Sequence, residues 1–168
     1  MKTITLAFVS LVLCSIAMPA VAQERSNASY NREVALTYSF LRDDGHNAAT
    51  GMNVDFGKHL TGKMSLVGEV ALNHFSSWDE TYTQVAGGVR FGSVVNARLR
   101  PFAQIMVGVQ HDFGSNGFNV QPGAGVNVRL GKGFDAKVQM DLPIVRWEGT
   151  TYKQFRLNAG IGVPLGGR

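Results

Sequence analysis

Residues 118–130 read Phe118-Asn-Val-Gln-Pro-Gly-Ala-Gly-Val-Asn-Val-Arg-Leu130, and this stretch decides the fold class. Phe118, Val120, Ala124, Val126, Val128 and Leu130 occupy one parity, while Asn119, Gln121, Gly123, Gly125, Asn127 and Arg129 occupy the other. Side chains alternate across a strand, so the stretch predicts a β-strand with one apolar and one polar face.

The same period runs through the chain from Arg32 to Leu165. Val34, Leu36, Tyr38 and Phe40 oppose Ala35, Thr37 and Ser39, and Met52, Val54 and Phe56 oppose Asn53, Asp55 and Gly57. Met64, Leu66, Val70 and Leu72 oppose Ser65, Glu69, Ala71 and Asn73. Val85, Val89 and Phe91 oppose Gln84, Ala86, Gly88 and Arg90. Ala103 to Val109 oppose Gln104 to Gln110, Ala136 to Leu142 oppose Lys137 to Asp141, and Phe155 to Val163 oppose Arg156 to Gly162. Eight such strands with short connections predict an all-β, closed, antiparallel up-and-down barrel.

The size of the two residue sets predicts its sidedness. The polar set is rich in Gly, Ala, Ser, Asn and Gln, which suits the crowded interior of an eight-stranded barrel. The apolar set is continuous and about as long as the 9 to 11 residues of a tilted spanning strand, so it is expected to face lipid. The competing reading is a soluble exported barrel, which would turn the large apolar residues inward around an apolar ligand.

Residues 1–22 predict an export signal: Lys2 is the positive end, Thr3 to Met18 are largely apolar, and Ala20-Val21-Ala22 is a small-residue cleavage site. Cleavage there leaves 146 residues, one domain at 32–168 behind a flexible polar segment at 23–31, and lowers the formal charge from +4 to +3. Cys14 is removed with the signal, so no disulfide is expected. A mild, interspersed charge does not point to nucleic acid.

The connections at 60–63, 92–98 and 130–134 are read as periplasmic. Those at 42–49, 75–81, 112–117 and 146–152, carrying Asp43, Asp44, Trp78, Asp79, Trp147 and Glu148, are read as longer extracellular loops. Aromatics are read as two interfacial girdles: Tyr38, Phe40, Trp78, Phe113, Phe118, Trp147 and Tyr152 outside, and Phe56, Phe91, Phe102 and Phe134 inside. Asp55, Glu69 and Asp141 are expected to meet Arg90, Arg129, Lys137 and Arg156 across the lumen, filling it rather than leaving a pore. Pro122 and Pro143 are each expected to mark a bulge or a strand end.

The motifs PFAQIMVGVQ, PGAGVNVRL, KVQMDLPIVRW and FRLNAGIGVPLG, from Pro101 to Gly166, resemble the bacterial outer-membrane β-barrel domain family of small eight-stranded proteins. The resemblance implies location and fold more than activity. Such barrels usually close on a terminal aromatic read by the assembly machinery, whereas this sequence ends Val163-Pro-Leu-Gly-Gly-Arg168.

Chemistry is sparsely signalled. His74-Phe75-Ser76 resembles the His-x-Ser pair of outer-membrane lipid A deacylases, with Asp79 or Glu80 as orienting carboxylate. A metal site from His46, His59, His74 and His111 is not expected, because no two stand at ligand spacing. Gly87-Gly88 and Gly123-Ala-Gly125 lie inside strands, where close packing explains them better than phosphate binding. The expectation is therefore a non-enzymatic outer-membrane protein without catalytic, cofactor or metal residues, monomeric, in contact with outer-membrane lipids and the barrel-assembly machinery. It would have a structural or surface-interaction role through its outer loops. The enzymatic alternative is a lipid-modifying barrel using His74 and Ser76.

Overall fold

The computed structural model describes residues 31–77, 79–93, 98–112, 114–131 and 133–165. They form nine strand segments in one sheet: β1 (Arg32–Asp43), β2 (Ala48–His59), β3 (Met64–Phe75), β4 (Glu80–Gly92), β5 (Leu99–Asp112), β6 (Ser115–Arg129), β7 (Asp135–Asp141), β8 (Ile144–Trp147) and β9 (Thr150–Leu165). Consecutive strands pair antiparallel except β7 and β8, which each pair with β6 and β9 instead, and β9 pairs with β1 from Arg32↔Leu165 to Asp43↔Gln154, which closes the sheet into a barrel. The predicted signal segment and residues 23–30 lie outside the described residues.

The barrel has eight staves because β7 and β8 are one stave interrupted at Leu142-Pro143. Proline has no N–H to offer a ladder. β7 pairs with β6 up to Gly123↔Asp141, and β8 resumes at Val120↔Ile144 with equal residue counts on both sides. No extra residue is inserted, so the feature is a gap in pairing rather than a bulge. Two backbone bonds span it: Leu142 N–H donates to the Pro122 carbonyl at 2.9 Å and Gln154 N–H to the Pro143 carbonyl at 2.8 Å. Pro143 thus marks a strand break as expected, whereas Pro122 stays inside β6 opposite Ile105.

Parity sets the sidedness. Leu36, Val85, Val107 and Ile161 are each about half exposed on the outer wall, while their neighbours Gln84, Gln121, Arg156 and Asn158 are fully buried inside. Between the two rims every outward position of the described strands is apolar, glycine or proline, except Thr50 and Thr83 near the rim that holds the β1–β2 and β3–β4 turns. A wall of this kind is stable only against lipid, so the chain is a transmembrane barrel and the soluble, ligand-filled reading is overturned. Closure leaves no free edge within the membrane.

Inward glycines let the wall coil tightly. A Cβ on Gly88 would overlap the Ile105 carbonyl and Met106 Cα, and one on Gly160 would overlap the Leu36 carbonyl and Thr37 Cα. Gly51 and Gly108 meet the neighbouring backbone in the same way. Glycine at such bends is the ordinary device by which a small barrel curves. Outward Gly68 has no such neighbour, the nearest atom being 4.0 Å away.

Both described ends of the chain lie at one rim, here called terminal; the other is distal. The distal connections correct the sequence reading, because strands run on into the segments read as loops. Only 44–47, 76–79, 113–114 and 148–149 separate the strands there, against 60–63, 93–98 and 130–134 at the terminal rim. Glu148 (φ 45°) and Gly149 (φ 91°) both take positive φ, the signature of a two-residue hairpin turn matched to strand twist. At the β1–β2 turn the Asp43 carboxylate accepts from Asn47 N–H at 2.7 Å and from Asn47 Nδ2 at 2.9 Å. Asymmetry of loop length therefore does not mark the distal rim as extracellular.

Candidate functional site: the charged lumen

The lumen is assembled from inward positions of every stave. At its centre Arg156, fully buried, donates through Nη2 to Glu69 and to Asp141 Oδ2, the latter at 3.2 Å. Neutral side chains complete both carboxylates. Glu69 accepts from Asn53 Nδ2 (3.0 Å) and Gln121 Nε2 (3.2 Å), and Asp141 accepts from Gln139 Nε2 (2.8 Å) and Asn158 Nδ2 (2.9 Å). Register accounts for the meeting, since Asp141 stands directly across the β7–β9 pair from Arg156.

A second cluster lies toward the terminal rim. Asp55 is held by Lys137 Nζ and by Arg90 Nη2 at 3.2 Å; Arg90 also reaches Glu33 and donates from Nε to Gln104 Oε1 at 2.9 Å. Asp55 and Glu69 are direct cross-strand partners, so two like charges sit opposite one another and each needs a cation. Nearby, Asp135 bridges Arg100 and Arg129. A buried pair that loses one member leaves an uncompensated charge, which is why these clusters lock the interior as a unit.

The expected acids do meet three of the four expected cations, Asp55 with Arg90 and Lys137, and Glu69 and Asp141 with Arg156. Arg129 departs, bonding Asp135 instead. Glu33, Arg100 and Asp135 were missed in the sequence although their parity, shared with Ala35, Gln104 and Lys137, places them inside. Phe102 corrects the girdle reading. It is buried in the lumen, with the Arg90 guanidinium 4.5 Å and the Lys137 ammonium 5.5 Å from its ring centre. A ring face offers cations an electrostatic partner without adding another charge.

Apolar side chains fill the lumen toward the distal rim: Leu41, Ala49, Phe75 and Tyr82 form a buried cluster. Trp147, expected in the outer girdle, instead shares the inner parity with Val145 and lies over Gly117, where a Cβ would strike the indole. Tyr152 joins it edge-on at 5.6 Å between ring centres. Outward aromatics do form two levels, Tyr38, Phe40, Phe118 and Phe155 distally and Phe56, Phe91 and Phe134 at the terminal side; Trp78 and Phe113 lie outside the described residues. Near the terminal mouth a cleft between Glu33, Asn127, Asp135 and Lys137 has room for about one water molecule.

The His74/Ser76 pair does not assemble. His74 Nδ1 pairs with Thr81 Oγ1 at 3.1 Å and Nε2 lies 3.7 Å from Asp79 Oδ1, so both ring nitrogens face partners other than Ser76. Ser76 sits exposed in the β3–β4 turn, with Phe75 between them pointing into the lumen. A histidine with neither nitrogen directed at the hydroxyl does not activate it as arranged. His59 binds Ser65 Oγ at 2.7 Å at the terminal rim and His111 binds Asn116 Oδ1 at 2.9 Å distally. Among the described residues no three His, Cys, Asp or Glu side chains gather as metal ligands.

No protein-family model matches the sequence, and no curated protein matches it. Solved structures do match. Neisserial surface protein A is similar over 83% of this chain and all of its own, with TM-score 0.65 at 10% identity. The N-terminal β-barrel domain of Pseudomonas aeruginosa OprF covers 78% of this chain and 96% of its own at 17% identity and TM-score 0.52. The outer membrane enzyme PagL covers 80% and 99% at 12% identity and TM-score 0.55. The chain has the fold of the small eight-stranded outer-membrane β-barrels, and its apolar belt is that of an integral membrane protein.

Proposed function

We propose that the protein serves the bacterial outer membrane as a non-enzymatic, monomeric barrel whose lumen is a structural plug and whose distal turns meet the cell exterior. The observation that carries this reading is Arg156, fully buried and tied to Glu69 and Asp141 across the middle of the lumen. A continuous aqueous path would have to break both ion pairs, at a cost of several kcal/mol in a water-poor interior. Both ends of the barrel domain at one rim fit delivery from the periplasmic side, with outer-membrane lipids around the belt and the barrel-assembly machinery as a transient partner. The role that follows is in envelope integrity or surface contact.

Purified, refolded protein in planar bilayers tests the plug: only rare, small conductance events are expected, and steady ohmic conductance would refute it. Cells lacking the gene test the role. They should take up hydrophobic dyes faster while their lipid A retains its mass spectrum. A change in lipid A acylation that returns with the wild type and not with Ser76→Ala would replace this reading with the lipid-modifying one.

A further inference from the structure

We propose that the face formed by β8, β9 and β1 at the distal rim carries a binding site for the phosphate groups of an anionic lipid, built from Arg42, Lys153 and Arg146. The inference deepens the membrane-integral reading above and rests on it. These are the first charged side chains met on the outer wall above the apolar belt, and all three are exposed. Their placement follows from register. Arg42 is the cross-strand partner of Phe155, Lys153 of Ile144, and Arg146 of both Thr151 and Phe118. With strands about 4.8 Å apart and about 3.4 Å of rise per residue, each cation's Cα lies roughly 8 Å from the next. Arg42 and Arg146 are then roughly 16 Å apart with Lys153 between them, a span that long Arg and Lys side chains have the reach to close around one headgroup.

Directly below them the wall is aromatic, with Phe40, Phe155 and Phe118 facing outward. Cations above a ring shelf match a lipid whose phosphate sits at the interface and whose chains run down the wall. None of the three cationic side chains is ion-paired with a described carboxylate. The nearby acids are turn residues: Asp44, which accepts the Lys153 backbone N–H at 3.4 Å, and Glu148 in the β8–β9 turn. The opposite face differs, since its outward His74 and His111 are engaged with Thr81, Asp79 and Asn116. At the terminal rim the outward strand cations are two, Arg32 and Lys58, paired across β1–β2.

The test is lipid selectivity of the full mature barrel refolded in phosphatidylcholine vesicles, read by the motionally restricted fraction of spin-labelled lipids. Spin-labelled phosphatidic acid should be enriched several-fold at the barrel over phosphatidylcholine, less so in high salt. Arg42→Gln/Arg146→Gln/Lys153→Gln should remove most of the preference with the heat-shifted gel band unchanged, and Arg32→Gln/Lys58→Gln should retain it. A restricted fraction with no headgroup preference overturns the site while leaving the barrel reading intact, as does equal loss in the two variants. No restricted fraction with any lipid overturns the membrane reading and this site together.

Discussion

Replacing Arg156 by Met is the perturbation to which the lumen should respond most. The guanidinium is fully buried and holds two carboxylates, Glu69 and Asp141, so the substitution keeps a similar apolar stem and strands two acids among neutral amides. Removing one member of a buried ion cluster costs about 3–5 kcal/mol. The bonds from Asn53, Gln121, Gln139 and Asn158 survive and should hold the loss near the lower figure. At about 1.4 kcal/mol per tenfold, ~3 kcal/mol lowers the folded-to-unfolded ratio roughly a hundredfold. Urea titration in phosphatidylcholine vesicles, followed by Trp fluorescence and the unboiled gel band, measures it. The triple variant Glu69→Gln/Asp141→Asn/Arg156→Met has no charge left to strand and should recover most of the loss. A single variant within about 1 kcal/mol of wild type, or a triple variant as damaged as the single, would refute the reasoning.

Three other expectations concern the wall, the lumen ring and the distal cap. Gly88→Ala puts a methyl into the Ile105 carbonyl and should abolish the heat-shifted band or cost more than about 2 kcal/mol, whereas Gly68→Ala, facing outward with nothing nearer than 4.0 Å, should leave stability within about 0.5 kcal/mol. Phe102→Leu removes the ring under Arg90 and Lys137 and should lower stability by about 1–2 kcal/mol in the same titration. Gly117→Ala should displace the Trp147 indole, seen as a red shift and greater iodide quenching in a Trp78→Phe background; an unchanged spectrum would remove Trp147 from the lumen cap.

How far the molecule could be read in advance depended on whether parity or composition was followed. The stretch Phe118 to Leu130 declared both faces of β6 because lipid and lumen make opposite demands on adjacent residues. Residue type alone places Phe102 in an interfacial girdle, whereas its parity with Gln104 places it inside. Above the belt both faces of a strand can be polar, so alternation fades. Thr150 to Tyr152 therefore reads as loop while it forms the start of β9. The Trp147–Gly117 contact lies beyond local pattern altogether, since it depends on β8 pairing with β6 across the Pro143 break. At the weak His-x-Ser signal, the turn holding Asp79 at φ 54° brings a carboxylate and Thr81, rather than Ser76, to the imidazole.

The central claim is that apolar residues face lipid while the polar parity, together with Phe102, faces a packed lumen. Phe91 and Phe102 test it at nearly equal depth, because they lie one register step apart on the paired strands β4 and β5. One is 52% exposed on the outer wall and the other 6% exposed inside. Phe91→Trp and Phe102→Trp, each in a Trp78→Phe/Trp147→Phe background, would be refolded in vesicles of chain-brominated phosphatidylcholine. The account predicts strong quenching of the tryptophan at 91 and weak quenching of that at 102 by bromine. Equal quenching, or stronger quenching at 102, would contradict it.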